Sequence, residues 1–206
     1  IIPQEKAILF DSRGFDRTKA WIEMWHRYFA GAVGLLVIIL SFSHIRVKRH
    51  QKLPMILIIL VLLQANLGRL TVTMKLQPII VTTHLLGGLS LLFLVMILGY
   101  RTLWSHQIKS AQALKPHWMR HYQILMTFYT LQVILGAWVS TNYAGLACQS
   151  FPGCHFDNLV PYISISRIFD LKGLWYAQEP LSYFSWHDKM SIHMLHRSNA
   201  LFLGLA

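Results

Sequence analysis

The chain has 206 residues, of which 54% are hydrophobic and only 13% charged, against about 25% charged in soluble domains. Several apolar stretches approach the ~20 residues that a helix needs to cross the hydrocarbon core of a membrane, and together they exclude a soluble globular fold. The formal net charge of +11 would suit a nucleic-acid partner, but the placement of the charges excludes one.

All eight acidic residues lie in two segments, with Glu5, Asp11, Asp16 and Glu23 in the first and Asp157, Asp170, Glu179 and Asp188 in the second. Between Met24 and Phe156 there is none. Within that span the loops at 44–52 and 101–120 carry Arg46, Lys48, Arg49, Lys52, Arg101, Lys109, Lys115 and Arg120. Short loops rich in Lys and Arg stay on the cytoplasmic side, so the basic balance is a topology signal.

In chain order, a polar outer segment runs up to Ala20. The predicted spans follow: 28–43 out-to-in, 53–72 in-to-out, 79–100 out-to-in, 122–140 in-to-out and 190–206 out-to-in. The turn at 74–78 and the long loop at 141–187 lie outside. The expected fold is an all-α polytopic membrane protein. The chain opens on Ile1 rather than Met, and its last apolar run is cut at Ala206. It therefore reads as a fragment, with a helix before residue 1 and more after Ala206.

The two cysteines, Cys148 and Cys154, both fall in the long outer loop, with Phe151-Pro152-Gly153 between them to favour a tight turn. A close pair in an oxidising compartment favours a structural disulfide. Free thiols or a redox-active pair are the other reading.

Two internal repeats run through the chain. Ile22-Glu23-Met24-Trp25-His26-Arg27-Tyr28-Phe29-Ala30 matches Ile192-His193-Met194-Leu195-His196-Arg197-Ser198-Asn199-Ala200 at Ile, Met, His, Arg and Ala. Leu63-Gln64-x-x-Leu67-Gly68 likewise resembles Leu131-Gln132-x-x-Leu135-Gly136. The third span adds Thr83-His84-Leu85-Leu86-Gly87-Gly88, whose glycines permit close approach of a neighbouring helix or a flat ligand. The repeats suggest two related half-bundles, 1–120 and 121–206. At ~1.5 Å rise per residue, His26, His84 and His196 all fall in the outer third of the membrane.

Ionisable groups at such depth usually face the bundle interior and carry a function. A single such histidine is more often an interfacial anchor or a hydrogen-bonded packing residue than a ligand. Three at one depth, two of them in a repeated His-Arg motif, favour ligands. By contrast, His44, His50, His106, His117 and His121 sit beside the basic inner loops as solvated groups, and His155 and His187 are loop residues with no assigned role. Inward carboxylates and thiolates are too few for a zinc or copper site. One imidazole from each of two helices is instead the arrangement for a porphyrin iron. Arg27 and Arg197 then fit two roles, pairing with heme propionates or snorkelling to lipid headgroups. Glu23, one turn before His26 on the same face, fits either proton transfer beside a heme or a helix N-terminal acid favoured by the macrodipole.

The motifs Glu23-Met24-Trp25-His26-Arg27, Leu67-Gly68-x-x-Thr71-Val72-Thr73, Thr83-His84-Leu85-Leu86-Gly87-Gly88, Gly136-Ala137-Trp138-Val139-Ser140 with the Cys148 and Cys154 loop after it, and His196-Arg197 together resemble the heme A synthase family. The resemblance runs over essentially the whole chain. It implies eight helices in two pseudosymmetric four-helix halves, of which this chain covers helices two to six. It further implies that His26 and His84 flank a substrate heme O on the 1–120 side, and that Glu23 is the acid needed for oxidation. His196 becomes an axial ligand of a heme b cofactor on the 121–206 side, and Cys148 with Cys154 matches an outer-loop disulfide. Some family members also carry a cysteine pair in the first outer loop, but residues 1–22 contain no cysteine.

The implied reaction is oxidation of the C8 methyl of heme O to a formyl group, giving heme A for terminal oxidases. The implied partners are the lipid bilayer, heme O synthase and an electron donor, with a homo-oligomer left open. The implied place is the bacterial inner membrane or the mitochondrial inner membrane, with the cysteine loop on the outer (periplasmic) side. The runner-up is a b-type cytochrome subunit passing electrons to quinone. It is disfavoured by Glu23 in only one repeat copy and by one histidine per helix where many diheme bundles stack two. A heme carrier is weaker still, since nothing in the sequence suggests a translocation path.

Overall fold

The structure is a computed structural model and describes residues 17–47, 52–103, 116–150, 153–154, 164–177 and 182–205. Among the described residues the regular structure is helical: α1 (Arg17–Arg46), α2 (Lys52–Thr73), α3 (Pro78–Leu103), α4 (Pro116–Thr141), α5 (Ile165–Ile168), α6 (Leu171–Tyr176) and α7 (Trp186–Leu205). The first four predicted spans lie on α1 to α4; the fifth, 190–206, lies on α7 as far as Leu205, and α7 is not among the described helices long and apolar enough to cross a membrane. Ala20–Arg46, Lys52–Thr73, Pro78–Leu103 and Trp118–Thr141 are long and apolar enough to cross a membrane. The side chains on these helices are largely exposed, as expected of apolar surface that faces lipid. The protein is an all-α polytopic membrane protein.

Helix α1 begins well before the apolar run predicted at 28–43. Its early turns hold Trp21, Trp25 and Tyr28, amphipathic aromatics suited to the membrane interface. Helix α7 is the least apolar of the long helices, because Asp188, Lys189, His193, His196, Arg197 and Asn199 all lie within it.

The ends of α2 and α4 are built alike. In each, a residue with positive φ, Lys75 (49°) or Tyr143 (52°), takes the left-handed position that terminates a Schellman motif. Lys75 and Leu76 donate backbone N–H groups to Val72 and Thr71, and Tyr143 and Ala144 donate theirs to Ser140 and Val139. After α2 a short turn leads straight to Pro78, which starts α3 with a pre-set φ. After α4 the chain enters the long loop that carries α5 and α6.

The chain divides into two compact units, Ile1–Val61 and Leu62–Ala206. In the first, a Cβ on Gly34 would stand 3.4 Å from Val61 Cγ1, an ordinary helix–helix contact. In the second, α4, α5, α6 and α7 enclose a core of Trp138, Val139, Ala144, Ile168, Leu174, Phe184 and Ile192. Trp138 stacks on Phe169 and donates its indole N–H to the Ile168 carbonyl at 3.0 Å. The start of α3 joins this layer. Gln77 Nε2 donates to the Leu174 carbonyl at 2.8 Å, and Thr82 Oγ1 lies 3.1 Å from Thr141 Oγ1.

Cys148 and Cys154 form the expected disulfide, buried with Ala147, Met190 and Met194. The expected halves at 1–120 and 121–206 describe a duplication, which is a different division from these packing units. His50, His106, His155, Lys48, Arg49, Lys109, Lys115, Glu5, Asp11, Asp16, Asp157 and Glu179 lie outside the described residues.

Candidate functional site

The register of α7 is fixed at its start. Ser185 donates from its backbone N and its Oγ to Asp188 Oδ2, at 2.9 and 2.7 Å, and Asp188 N donates back to Ser185 Oγ at 3.3 Å. This reciprocal box satisfies helix donors that would otherwise lack partners. From there His193, His196 and Arg197 follow at turn spacing and face α4 and the disulfide loop.

The His196 imidazole lies directly on Gly136 of α4. A Cβ at that glycine would stand 3.1 Å from His196 Cε1, closer than carbon atoms normally approach. Gln132, one turn earlier on α4, places its amide nitrogen 3.3 Å from His196 Nε2. Asn199, buried one turn after His196, donates to Gln132 Oε1 at 2.8 Å and to the Phe128 carbonyl at 3.1 Å. His196 Nδ1 is buried without a hydrogen-bond partner.

Arg197 turns toward the disulfide loop. Its Nη1 donates to the carbonyls of Ser150 and Gly153 at 2.6 and 2.9 Å, and Nη2 reaches the Cys148 carbonyl at 3.5 Å. Its Nε donates to His193 Nε2 at 3.2 Å. This role as a backbone clamp was not legible in the sequence, where only propionates and headgroups were weighed. The fork of five N–H donors on a guanidinium suits it.

A second imidazole is seated in the same manner. The His84 ring lies on Gly68 of α2, where a Cβ would stand 3.3 Å from His84 Cε1. One turn on, a Cβ at Gly87 would overlap the Gln64 amide, so the close approach expected at the α3 glycines is made by a glutamine of α2. Gln64 and Gly68 thus meet His84 and Gly87 as Gln132 and Gly136 meet His196 and Asn199.

His26 and Glu23 belong to the first unit and are exposed on α1. The Glu23 carboxylate accepts from Arg27 Nη2 across one turn, in an ion pair about half exposed on both sides. Arg197 donates to His193 at the same i,i+4 spacing. The nine-residue repeat is therefore a structural repeat as well, with a carboxylate as Arg27's partner and an imidazole as Arg197's. Among the described residues, no three His, Cys, Asp or Glu side chains gather closely enough to hold a bare metal ion.

The family described as cytochrome oxidase assembly protein (COX15-CtaA) matches residues 2–206. A heme A synthase of Shewanella oneidensis is 38% identical over 94% of this chain and 58% of its own length. One from Shouchella clausii is 26% identical over 89% of this chain and 56% of its own, and one from Bacillus licheniformis 30% identical over 66% and 47%. This chain thus spans about half the length of the curated relatives it matches. No solved structure matches it. Because the match runs from residue 2 to the last residue and takes in every repeat and seat described above, the chain belongs to the cytochrome oxidase assembly protein family.

Proposed function

We propose that the chain is part of a heme A synthase, which oxidises the C8 methyl of heme O to a formyl group and so supplies heme A to terminal oxidases. The observation that carries the proposal is the duplicated imidazole seat, His84 on Gly68 and His196 on Gly136, in a chain whose curated relatives bear that name. In this reading His196 would hold a resident heme b through its imidazole. The residues fit such a group. Glycine beneath the ring leaves the room that any Cβ would fill, and the buried, unpartnered Nδ1 of His196 calls for an explanation beyond packing.

His26 and His84 are the residues that would bind the substrate, heme O. An unactivated methyl needs a stronger oxidant than any side chain, and heme iron supplies that chemistry. Every other task falls to the chain. Glu23 would move protons or orient the intermediate at the reacting methyl, and its ion pair with Arg27 aims the carboxylate. Arg27 is also the cation suited to a heme propionate. Arg197 shares the propionate role only through the N–H capacity left by its loop carbonyls.

The protein works with an external electron donor and receives heme O from heme O synthase, and a homo-oligomer is compatible with this reading. It resides in a bacterial or mitochondrial inner membrane, with the Cys148 and Cys154 loop on the outer side. After reduction, a membrane-impermeant thiol reagent should label that pair in intact cells.

The deciding experiment is extraction and pyridine spectroscopy of the hemes in purified full-length protein. Heme O and heme A beside heme b support the synthase, whereas heme b alone supports the b-type cytochrome. The Glu23→Gln variant refines the outcome. It should keep heme b, make little or no heme A, and accumulate heme O or a partly oxidised product. Normal heme A from this variant would remove Glu23 from the chemistry.

A further inference from the structure

We infer that Asn199 and Gln132 are positioning residues that preset the tautomer of His196, so that Nε2 offers its electron pair to a heme iron. The inference rests on the reading of His196 as a heme b ligand.

The argument starts at one backbone carbonyl. Phe128 lies one turn before Gln132 on α4, and its oxygen can only accept. The Asn199 amide group 3.1 Å from it must therefore present nitrogen, since the reversed amide would set two oxygens against each other. That orientation directs the second Asn199 N–H to Gln132 Oε1 at 2.8 Å. With its oxygen so engaged, Gln132 turns its own amide nitrogen to His196 Nε2 at 3.3 Å. An amide nitrogen only donates, so Nε2 must accept. A neutral imidazole that accepts at Nε2 carries its proton on Nδ1.

The consequence is chemical. A metal binds the unprotonated nitrogen of a neutral imidazole; with Nδ1 buried without a hydrogen-bond partner, the contact at Nε2 is the one that selects the tautomer. The chain from Phe128 through Asn199 and Gln132 keeps Nε2 free of its own proton. Its last hydrogen bond is the longest of the three, at 3.3 Å, beyond the usual range for N–H donors. The Gln132 amide holds the electron pair weakly and yields it to a stronger acceptor of electrons.

The α2–α3 pair differs at the position that Asn199 holds. At the place of Asn199 stands Gly87, and the Gln64 amide fills the space a side chain would take there. The difference matches the proposed division of labour. A resident cofactor gains from a ligand locked before it arrives.

The test is nitrogen-15 NMR of histidine-labelled full-length protein in bilayers, prepared without heme, with the His196 resonances identified by their loss in His196→Gln. The expected spectrum has an unprotonated Nε2 and a protonated Nδ1; a proton on Nε2 overturns the proposal. In Asn199→Asp the new carboxylate cannot donate. It accepts from the Gln132 amide nitrogen, turns Gln132 Oε1 to the imidazole and moves the proton to Nε2. Heme b affinity should then fall about tenfold or more, the usual cost of losing a partner of a metal-bound histidine. Gln132→Met removes the donor without reversing it and should give mixed tautomers with a smaller loss of heme b. Wild-type tautomers in both variants would sink the relay. Tautomers that respond as stated, in a protein whose His196→Gln variant keeps its heme b, would instead sink the ligand reading.

Discussion

Two helix pairs of the second unit, α2 from Leu62 onward with α3 and α4 with α7, share one design and diverge in how firmly it is locked. Each begins with a glutamine and a glycine one turn later, seats an imidazole on the glycine, and ends its first helix on a left-handed residue at the same distance from the glutamine. Yet α4 and α7 pack closely together, while α2 and α3 approach each other at Gln64, Gly68, His84 and Gly87. The α2–α3 connection is a short turn. That of α4–α7 is a disulfide-closed loop whose carbonyls are gripped by Arg197, the residue next to His196. One turn after the seated imidazole stands Gly87 in one pair and Asn199 in the other; the Gln64 amide approaches Gly87, whereas Gln132 accepts a hydrogen bond from Asn199.

The largest effect expected from breaking this comparison is at the imidazole itself. His196→Ala should abolish most heme b retention in the full-length protein, whereas His193→Ala should be milder. His193 is the partner of Arg197 and not the residue on the glycine. Heme content per protein, read from the pyridine spectrum, checks both. Equal or greater loss from His193→Ala would transfer the ligand role to it.

Much of this was legible in the sequence, and the reason differs by feature. The helices were found from apolar runs, because lipid demands them. Their ends were missed where interfacial residues are helical without being apolar, as at Trp21 and Trp25 of α1. The disulfide was legible from a close pair around a turn. The glutamine–glycine repeat was visible, but its purpose was not. The partners of Gln132 and Gln64 lie on other helices, and Asn199 aligns in the nine-residue repeat with apolar Phe29, so nothing marked it. The short helices α5 and α6 bury Ile168 and Leu174 beneath Trp138 and Phe184, a tertiary arrangement with no periodic signature.

The next effect is on the lock of the α4–α7 pair. Cys148→Ser with Cys154→Ser opens a ring with a sequence separation of 6. Chain-entropy arguments put the loss at about 2 kcal/mol for so short a loop. The double variant should show a lower Tm and lose heme b faster on heating, since the carbonyls held by Arg197 belong to that loop. An unchanged heme b release rate would mean that the clamp and the imidazole act independently.

A smaller effect is expected at the seats. Gly136→Ala brings a Cβ to 3.1 Å from His196 Cε1, and Gly68→Ala brings one to 3.3 Å from His84 Cε1. Overpacking of this kind costs roughly 1 kcal/mol at the low end of its range, and alanine returns about as much in helix propensity. Overall stability should therefore change little in either variant. The displaced ring is what responds. Gly136→Ala should weaken heme b binding severalfold, and Gly68→Ala should leave heme b unaltered. Loss of heme b from Gly68→Ala would show that the two seats are coupled.

The smallest effect lies in the long loop, which only the α4–α7 pair possesses. Asp170 caps α6 by accepting from Gly173 N at 2.9 Å, and it also accepts from the Tyr183 hydroxyl. Chiefly through Tyr183, then through Gly173, its carboxyl is held below the ordinary carboxylate range. A group whose folded value is depressed adds stability that is fully present above its unfolded value, near 3.9. That stability is lost as pH falls through the lower folded value. The loop should therefore stay protected from proteolysis through mildly acid conditions and open only at more acid pH. Tyr183→Phe removes the leading cause, so its acid opening should shift upward toward the ordinary carboxylate range. The change should be modest, because Asp170 and its neighbour Arg167 are both substantially exposed and water screens their charges. Limited acid proteolysis of the two proteins side by side reads the shift. Coincident profiles would mean that the Tyr183 hydroxyl does not hold Asp170 in the membrane-bound protein.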